Sequence, residues 1–470
     1  MTDQLNAEQL EYYNRILYRS QQLRDNEEDD NYLHLFVTGP AGTGKSFALQ
    51  QSIKAIEDNL GSSPTPYKIL APTGCAAFNI SGSTYHTTLK IPIRRVEDIT
   101  KFSLNGPPKE ALILDFKGVH FVFIDEISMI GCSMFCQIER RLREAKKKDI
   151  PFGGLNVILF GDMCQLPPIA DKMLTSIHSK YDSITTSMGR DVFKQHFHTN
   201  RIELFRQMRQ DEDQVLFKSV LDNLRNGNLQ EEDIDFLNRR YIRYIPNVEV
   251  DEFLEATHLY ATKVMVDNHN ISVLQSKNLP IYISKAEHTG DKSTAVLDIK
   301  SDSAGGLANE VYLAIGAKVM LRTNLWISMG LVNGSVGTLI DLWCSSEDSL
   351  PIAAIVQFDD YHGPTFHPAM DRCVPILHIT RNFSYKIRGS YVSLTRTQLP
   401  MCLSYAITIH KSQGITLSKA VIDIKGMNIR SNLFYVAISR VKRFENLMFR
   451  TYLPDAIVEA SKHKRTSRFK

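Results

Sequence analysis

Residues 39–46 contain side chains and glycines suited to binding phosphate groups. They read "GPAGTGKS", which fits G-x-x-x-x-G-K-[ST] between an apolar run and a helix-like segment. In such a loop, backbone N–H groups converge on phosphate oxygens, Lys45 reaches the β- and γ-phosphates and Ser46 ligates Mg²⁺. The pattern therefore predicts a site for ATP and Mg²⁺. The residues expected to bind the nucleotide are Gly39, Gly42, Thr43, Gly44, Lys45 and Ser46.

Two acids follow a second apolar run, "FVFIDE" at residues 121–126. Like charges side by side at a strand end destabilise each other unless a cation lies near them. We expect Asp125 to join the Mg²⁺ shell and Glu126 to polarise an attacking water. Together with the loop at 39–46, these acids favour hydrolysis over binding alone.

A third apolar run, "NVILFGDMCQLPPI" at residues 156–169, ends in polar residues and two prolines. Polar groups at the carboxyl end of a buried parallel strand usually face a ligand. We predict that the Gln165 amide contacts the γ-phosphate or the attacking water, and that Pro167 and Pro168 fix the exit of the strand. The alternative is a surface turn with an idle glutamine.

Short apolar runs alternate with helix-like segments around these motifs, and most runs end in Gly, Thr, Asp or Glu. This pattern is typical of parallel sheets with crossover helices, and a second set of such runs near residues 258–263 and 404–452 predicts a second α/β domain. Between them, residues 309–399 alternate strand-like segments with Gly, Pro and Asp turns, which indicates a small β-rich insertion.

Length and composition fit a multidomain protein of ordinary composition. The 470 residues are 43% apolar and 23% charged, with seven cysteines and a formal charge of +3. No apolar run approaches the roughly 18 residues of a membrane helix, and the early acids argue against a leader peptide, so we expect an intracellular, soluble chain without a membrane partner. The cysteines are expected to be reduced, and the small net charge neither favours nor excludes a nucleic-acid partner.

Several segments together resemble the Pif helicases, which lie in the RecD-like branch of superfamily 1. The similarity covers nearly the whole chain and is most specific in "IERRLREAKKKDIPFGGLNVILFGDMCQLPPI". It also includes "LNAEQ", "APTGCAAFNISGSTYH", "LFRQMRQ", "AITIHKSQGITL" and "YVAISRV". The chain departs from the family where it has "DMCQ" in place of the common "DFFQ", and before "PFGG", where many members have a "DKL…IAR" run.

The resemblance implies two RecA-like domains, with a short wedge insertion in the first and an inserted β-barrel of Src-homology-three type in the second. The expected boundaries are 1–195 for the first domain, with the wedge at about 84–110, then 196–308 with 400–470 for the second and 309–399 for the barrel. It also implies a chain close to a bare motor core.

The resemblance further assigns roles to individual residues. It implies that Gln9 reads adenine and that Arg206 and Arg440 neutralise charge on the transferring phosphoryl group. The residues that it places near DNA are Thr73, His86, Thr408, His410 and Ser412.

The implied function is an ATP-dependent DNA helicase that moves on single-stranded DNA, 5′ to 3′, and unwinds forked or structured DNA as a monomer. The polarity comes from the resemblance alone, as do roles in DNA repair, recombination and telomere maintenance. Two other hypotheses stay open: an ATP-dependent nucleic-acid-binding switch without unwinding activity, and a P-loop kinase or signalling NTPase without nucleic acid.

Overall fold

The computed structural model describes residues 5–25, 32–92, 102–289, 299–344, 351–387, 390–427 and 432–462. The chain divides into two compact units. Unit 1 comprises Met1–Ile245, Gln413–Ser418 and Met427–Lys470, and unit 2 comprises Pro246–Ser412 and Lys419–Gly426. Among the residues described, no helix combines the length and the apolar character that a membrane span requires.

Unit 1 contains helices on both sides of a parallel sheet. Its strands are β1 (His34–Thr38), β2 (Tyr67–Ala71), β3 (Ser83–Thr84), β4 (Phe121–Ile124), β5 (Asn156–Gly161) and β6 (Arg201–Glu203), followed late in the chain by β20 (Leu447–Phe449). Its helices are α1 (Ala7–Arg24), α2 (Lys45–Leu60), α3 (Gly74–Asn79), α4 (Tyr85–Thr88), α5 (Pro107–Asp115), α6 (Cys132–Lys146), α7 (Ile184–Phe197), α8 (Val215–Asn226), α9 (Glu231–Asn238), α12 (Leu433–Ile438) and α13 (Ala456–Lys462).

The first six strands pair in parallel in the order β3-β2-β4-β5-β1-β6. The strands β1, β4 and β5 are buried along their whole length, as expected for a parallel sheet covered on both faces. The pairing of Thr38 with Gly161 and of Ile124 with Leu159 aligns the carboxyl ends of these strands. The segments that follow them, including the phosphate-binding motif, therefore begin at one edge of the sheet.

Side chains of alternate strand residues enter two different cores, one on each face of the sheet. Leu35 packs in a cluster with Tyr12 of α1, and its neighbour Phe36 packs in a cluster with Phe135 of α6 and Phe193 of α7. This alternation follows from the two-residue period of a strand. It fixes the register of the sheet, because a slip of one residue would exchange the two cores.

Unit 2 begins with α10 (Asn247–Asp251) and α11 (Lys263–Ser276). Its strands are β7 (Thr257–Tyr260), β8 (Tyr282–Lys285), β9 (Glu287–Thr289), β10 (Glu310–Leu313), β11 (Lys318–Leu321), β12 (Val336–Cys344), β13 (Pro351–Phe358), β14 (Cys373–Leu377), β15 (Ile379–Ile387), β16 (Ser390–Gln398), β17 (Met401–Leu403), β18 (Ala406–Thr408) and β19 (Ala420–Ile422).

Both kinds of sheet predicted for the later part of the chain occur in unit 2. The strands β18, β7 and β19 pair in parallel. A five-stranded antiparallel sheet has the order β14-β13-β12-β11-β17, and two smaller antiparallel sheets are β15-β16-β9 and β10-β8. The predicted α/β class with parallel sheets is confirmed, whereas closure of residues 309–399 into a barrel stays a prediction.

The predicted domain boundaries also stay predictions. The first sheet takes in β6 at Arg201–Glu203, beyond the expected boundary at residue 195. Of the expected wedge at about 84–110, residues 93–101 lie outside the described part of the chain, and the remainder contributes α4 and the start of α5.

The contact between α6 and α7 depends on Gly189. A Cβ atom at Gly189 would overlap the carbonyl oxygen of Cys132. Alanine in place of glycine inside a helix normally stabilises it by about 1 kcal/mol. We expect Gly189→Ala to lower the free energy of unfolding instead, by about 1–3 kcal/mol, because the overlap involves backbone and cannot relax by a rotamer change.

Urea unfolding followed by circular dichroism measures this effect. Ser187→Ala in the same helix serves as the matched control and should leave stability unchanged or slightly higher. A Gly189→Ala protein as stable as the wild type would show that α6 and α7 are not packed this closely.

Candidate nucleotide-binding site

The loop at residues 39–46 joins β1 to α2 and takes backbone conformations that suit glycine. Gly42 has φ 82° and Gly44 has φ 79°, both in the left-handed region that other residues avoid. The Lys45 ammonium donates to the carbonyl oxygens of Gly39 at 2.9 Å and Pro40 at 2.8 Å. The two carbonyl oxygens thus hold the Lys45 ammonium at the loop, and phosphate oxygens can replace them as acceptors.

Neighbouring residues hold the loop in place. The Thr43 hydroxyl is buried and donates to the Pro40 carbonyl oxygen at 3.0 Å. The Gln9 amide donates to the Thr43 carbonyl oxygen at 3.2 Å and accepts from the Asn6 backbone N–H at 3.1 Å. Gln9 therefore lies against the predicted loop, while Ser46 is exposed on the first turn of α2.

The acids after β4 lie in the electrostatic field of the loop. Burial, and then the neighbouring Glu126 carboxylate, raise the pKa of Asp125 to about 7. Burial lowers the pKa of Lys45, while the carboxylates of Asp162, Glu126 and Asp125 oppose that shift. Raised and lowered pKa values of this kind mark groups whose charges are incompletely compensated, which is common at functional sites.

The polar tip of β5 is buried. Asp162 is fully buried and accepts from Arg225 of α8 at 3.1 Å, which pairs the carboxylate with a cation. Gln165 is 4% exposed. Its backbone N–H donates to the Asp162 carbonyl oxygen, and its backbone carbonyl oxygen accepts from the Asn432 side-chain amide at 2.6 Å. Gln165 is therefore built into the sheet edge, which disfavours the alternative of an idle surface glutamine.

Arg440 and Arg209 lie beside this group of charges within unit 1. Arg440 is 1% exposed and donates to the Val436 carbonyl oxygen at 2.7 Å. Burial, and then the positive charge of Arg209, lower the pKa of Arg440 to about 9, and the Glu126 carboxylate acts in the opposite direction. Burial likewise lowers the pKa of Arg209, whose guanidinium is within electrostatic reach of Tyr435 and Glu126.

Arg206, the arginine of "LFRQMRQ" predicted to face the phosphates, is exposed and lies in a surface pocket of about 580 Å³. Arg209 of the same segment is the arginine whose Cβ abuts Gly42, and it donates to the Ser439 carbonyl oxygen at 3.2 Å. The structure thus places Arg209, and not Arg206, against the phosphate-binding loop. The sequence repeats Arg-Gln within five residues, so the pattern alone could not choose between the two.

Two residues expected near DNA lie in unit 1. Thr73 is exposed and caps α3 by accepting from the Ala76 N–H at 3.2 Å. His86 is partly buried, and its Nδ1 lies 3.0 Å from the Ile91 carbonyl oxygen. Both therefore also have structural contacts of their own.

The other three lie in unit 2. Thr408 is partly buried at the end of β18 and His410 is exposed. Ser412 is fully buried, and its hydroxyl donates to the Ile409 carbonyl oxygen at 2.8 Å. The expected DNA contact of Ser412 is not supported by this placement, because a buried hydroxyl that bonds within its own turn does not face solvent.

Other residues of the site were not found by motif reasoning. The Tyr435 hydroxyl accepts from the Ala41 N–H at 3.3 Å, and the Gln413 amide donates to the Glu126 carboxylate at 2.9 Å. Tyr435 and Gln413 lie in the segments "YVAISRV" and "AITIHKSQGITL". The resemblance of these segments to the Pif helicases was the signal that could have pointed to them. Tyr435 and Ala41 are 394 residues apart in the chain, and Gln413 and Glu126 are 287 residues apart. Contacts over such separations cannot be predicted from the spacing of residues within a motif.

A phosphate-binding loop after a parallel strand, a partly buried acid pair, the buried Arg440 and the partly buried Arg209 in one α/β unit define a P-loop NTPase site. Comparisons with known proteins narrow this class. The model of the PIF1-like helicase family matches residues 4–235. The ATP-dependent DNA helicase PIF1 of Danio rerio is 29% identical over 429 residues, which cover 90% of this chain and 59% of that protein.

Further relatives agree with this match. The ATP-dependent DNA helicase Pif1 of Bdellovibrio bacteriovorus is 26% identical over 90% of this chain and 86% of its own length. A solved structure of two coordinating Pif1 helicases at forked double-stranded DNA has a TM-score of 0.67 and 26% identity, and covers 96% of this chain and 94% of that one. The relationship to the Pif1 helicases inferred from the sequence is thereby confirmed. The chain spans about three fifths of the length of the first curated relatives, at 59%, 63% and 60%.

The buried pair of Asp162 and Arg225 should be important for the stability of unit 1. Removing one partner leaves an uncompensated buried charge, which costs about 3–5 kcal/mol. We therefore expect Arg225→Met to lower the free energy of unfolding by roughly that amount at neutral pH. The double variant Asp162→Asn with Arg225→Met should recover a large part of the loss, because no charge is then left buried.

Chemical unfolding of the two variants beside the wild type measures both values. Equal stability of the single and double variants would mean that the Asp162 charge does not depend on Arg225.

Proposed function

We propose that the chain is an ATP-dependent DNA helicase, which hydrolyses ATP to move 5′ to 3′ on single-stranded DNA and unwinds forked or structured duplexes. The observation that carries this proposal is the convergence of Lys45, Glu126, Arg209 and Arg440 within unit 1. Binding a nucleotide needs only the loop, whereas an acid and two arginines beside it suit phosphoryl transfer to water. We infer DNA as the substrate because the relatives are named ATP-dependent DNA helicases.

The basic side chains have distinct roles in hydrolysis. Lys45 exchanges its contacts with the Gly39 and Pro40 carbonyl oxygens for β- and γ-phosphate oxygens. Arg209 and Arg440 neutralise the negative charge that grows on the transferring phosphoryl group, a role worth about 10³ to 10⁵ in rate for arginine fingers. We place Arg209 in the role first expected of Arg206 because Arg209 abuts Gly42.

The acids have roles that follow from their positions and neighbours. Glu126 orients and polarises the attacking water. The carboxylate of Asp125 and the hydroxyl of Ser46 would hold Mg²⁺, and the fit is supported by this donor set, because hard oxygen atoms are the ligands that Mg²⁺ prefers. When bound, Mg²⁺ neutralises phosphate charge. Among the residues described, no three His, Cys, Asp or Glu side chains form a metal cluster.

Two glutamines would sense the nucleotide. Gln9 lies against the loop, where its amide would read the adenine edge once released from Asn6 or Thr43. Gln165, held at the tip of β5, would contact the γ-phosphate or the attacking water. Both roles need only a neutral amide, which donates and accepts hydrogen bonds without adding charge to the site.

DNA would be bound through phosphates and bases, without sequence readout. Thr73 and His86 of unit 1 and Thr408 and His410 of unit 2 are the proposed contacts, and binding of this kind weakens steeply with salt. Opening one base pair costs roughly 1.4 kcal/mol, so one step per ATP is energetically feasible. We propose that a single copy suffices for unwinding.

Strand displacement on forked duplexes with one single-stranded tail tests this function. We expect ATP-dependent displacement from the 5′-tailed fork and at least about tenfold less from the 3′-tailed fork, at protein concentrations below the DNA concentration. Lys45→Ala, which removes the phosphate contact, is the negative control.

The outcomes separate the competing hypotheses. Single-stranded DNA that stimulates hydrolysis without displacement would identify a nucleic-acid-binding switch. Hydrolysis indifferent to DNA would favour a signalling NTPase, and displacement from the 3′ tail alone would reverse the proposed polarity.

The choice between the two arginines makes a second prediction. Arg209→Ala should lower kcat for ATP hydrolysis by at least about a hundredfold, because it removes a charge that stabilises the transition state. Arg206→Ala is the matched control, because Arg206 is exposed and belongs to the same segment as Arg209. Its kcat should stay within about threefold of the wild type. Steady-state ATPase assays with saturating single-stranded DNA measure both. The reverse pattern would restore Arg206 to the site.

A further inference from the structure

We propose that Gln413 is a further catalytic residue, whose amide N–H orients the Glu126 carboxylate and whose amide oxygen orients the attacking water. The inference rests on the proposed ATP hydrolysis and deepens it. Gln413 Nε2 donates to Glu126 Oε2 at 2.9 Å, and the carboxylate keeps its other oxygen, Oε1, for the water proton.

The second half of the Gln413 amide points to a ligand. Gln413 is 9% exposed, and its Oε1 is buried without a hydrogen-bond partner among the residues that the structure describes. A buried acceptor without a donor costs free energy, so such an atom in a native site calls for an explanation. Because Oε1 and Nε2 share one carbon, the free oxygen lies within the span of a single water from the Glu126 carboxylate.

The proposed step is balanced as follows. The water donates one hydrogen bond to Glu126 and the other to Gln413 Oε1, which directs a lone pair at the γ-phosphorus. The new bond forms between the water oxygen and phosphorus, the bond from phosphorus to the bridging oxygen of ADP breaks, and ADP leaves with that electron pair. The proton passes to Glu126. Gln413 exchanges no proton and acts only by orientation.

A neutral partner suits a general base at this position. The Glu126 carboxylate is within electrostatic reach of Lys45, Arg209 and Arg440. Direct pairing with one of these cations would favour the charged carboxylate and weaken it as a base. A hydrogen bond from an uncharged amide fixes the carboxylate without adding a further positive charge.

The backbone around both residues is fixed, so the pair is held in one geometry. Glu126 has φ 50° and ψ 45°, a left-handed conformation that orients its side chain from the end of β4. The segment after Gln413 is tied to Arg440, since the Ile415 carbonyl oxygen accepts from its guanidinium at 3.4 Å and the Leu417 N–H donates to its carbonyl oxygen at 2.8 Å.

Gln413→Leu tests the proposal, because leucine keeps the bulk and removes both hydrogen bonds. With saturating single-stranded DNA, we expect kcat for ATP hydrolysis to fall at least about twentyfold and KM for ATP to stay within about threefold, as loss of an interaction specific to the transition state requires. A kcat within twofold of the wild type would overturn the proposal.

Gln137→Leu is the matched control. Gln137 of α6 is also buried, at 1% exposed, and its Oε1 likewise has no partner among the residues described. The control should keep its kcat. An equal loss of kcat in both variants would mean that any buried glutamine is needed for folding, which would overturn the specific role of Gln413.

Glu126→Gln separates this proposal from the proposed function. If Glu126→Gln abolishes hydrolysis while Gln413→Leu does not, only the role of Gln413 fails. If Glu126→Gln still hydrolyses ATP, the assignment of the base fails, and the proposal with it. Because Gln413 and Glu126 orient the same water, their effects should be non-additive: adding Gln413→Leu to Glu126→Gln should cost much less than the loss of about twentyfold expected of Gln413→Leu alone, and a full further loss would mean that Gln413 acts independently of Glu126.

Discussion

Buried charge at the carboxyl edge of the parallel sheet is the constraint on which unit 1 depends. Three acids, Asp125, Glu126 and Asp162, lie within electrostatic reach of the Lys45 ammonium. Of these, Asp162 has a direct partner in Arg225, while the raised pKa of Asp125 and the lowered pKa of Lys45 show that burial is not fully offset. Such an edge is stable only where a rigid sheet holds it, and the proposed nucleotide with Mg²⁺ would complete it.

The local part of this site follows from the sequence. Glycines before Lys45 predict the loop, since the left-handed backbone at Gly42 and Gly44 disfavours residues that carry a side chain. The buried strands before Asp125 and Gln165 were evident from their apolar runs, and the parallel sheet is confirmed. In each case, the residues that decide the conformation are neighbours in the chain.

The distant part of the site could not be predicted in the same way. Arg206 and Arg209 stand in the same segment, and only the packing of Arg209 against Gly42 distinguishes them. Ser412 has the sequence context of a surface contact, yet its hydroxyl is buried against Ile409. A motif gives the types of residues present. Whether a side chain in the motif faces the site or the core depends on tertiary packing against residues elsewhere in the chain.

The site therefore has two parts with different physical origins. The phosphate-binding loop forms from residues 39–46, whose contacts with Gln9 and Pro40 span at most a few dozen positions. The Tyr435 hydroxyl and the Gln413 amide reach Ala41 and Glu126 only after the chain has passed through all of residues 246–412, which fold as part of unit 2. Closing so long a loop costs entropy that grows only slowly with length, about 0.6 kcal/mol for each doubling, and a folded insertion shortens the flexible length further. Tyr435 contacts the loop itself, whereas Gln413 contacts Glu126 outside the loop. A change confined to Gln413 can therefore slow the proposed hydrolytic step while the phosphate-binding loop stays intact.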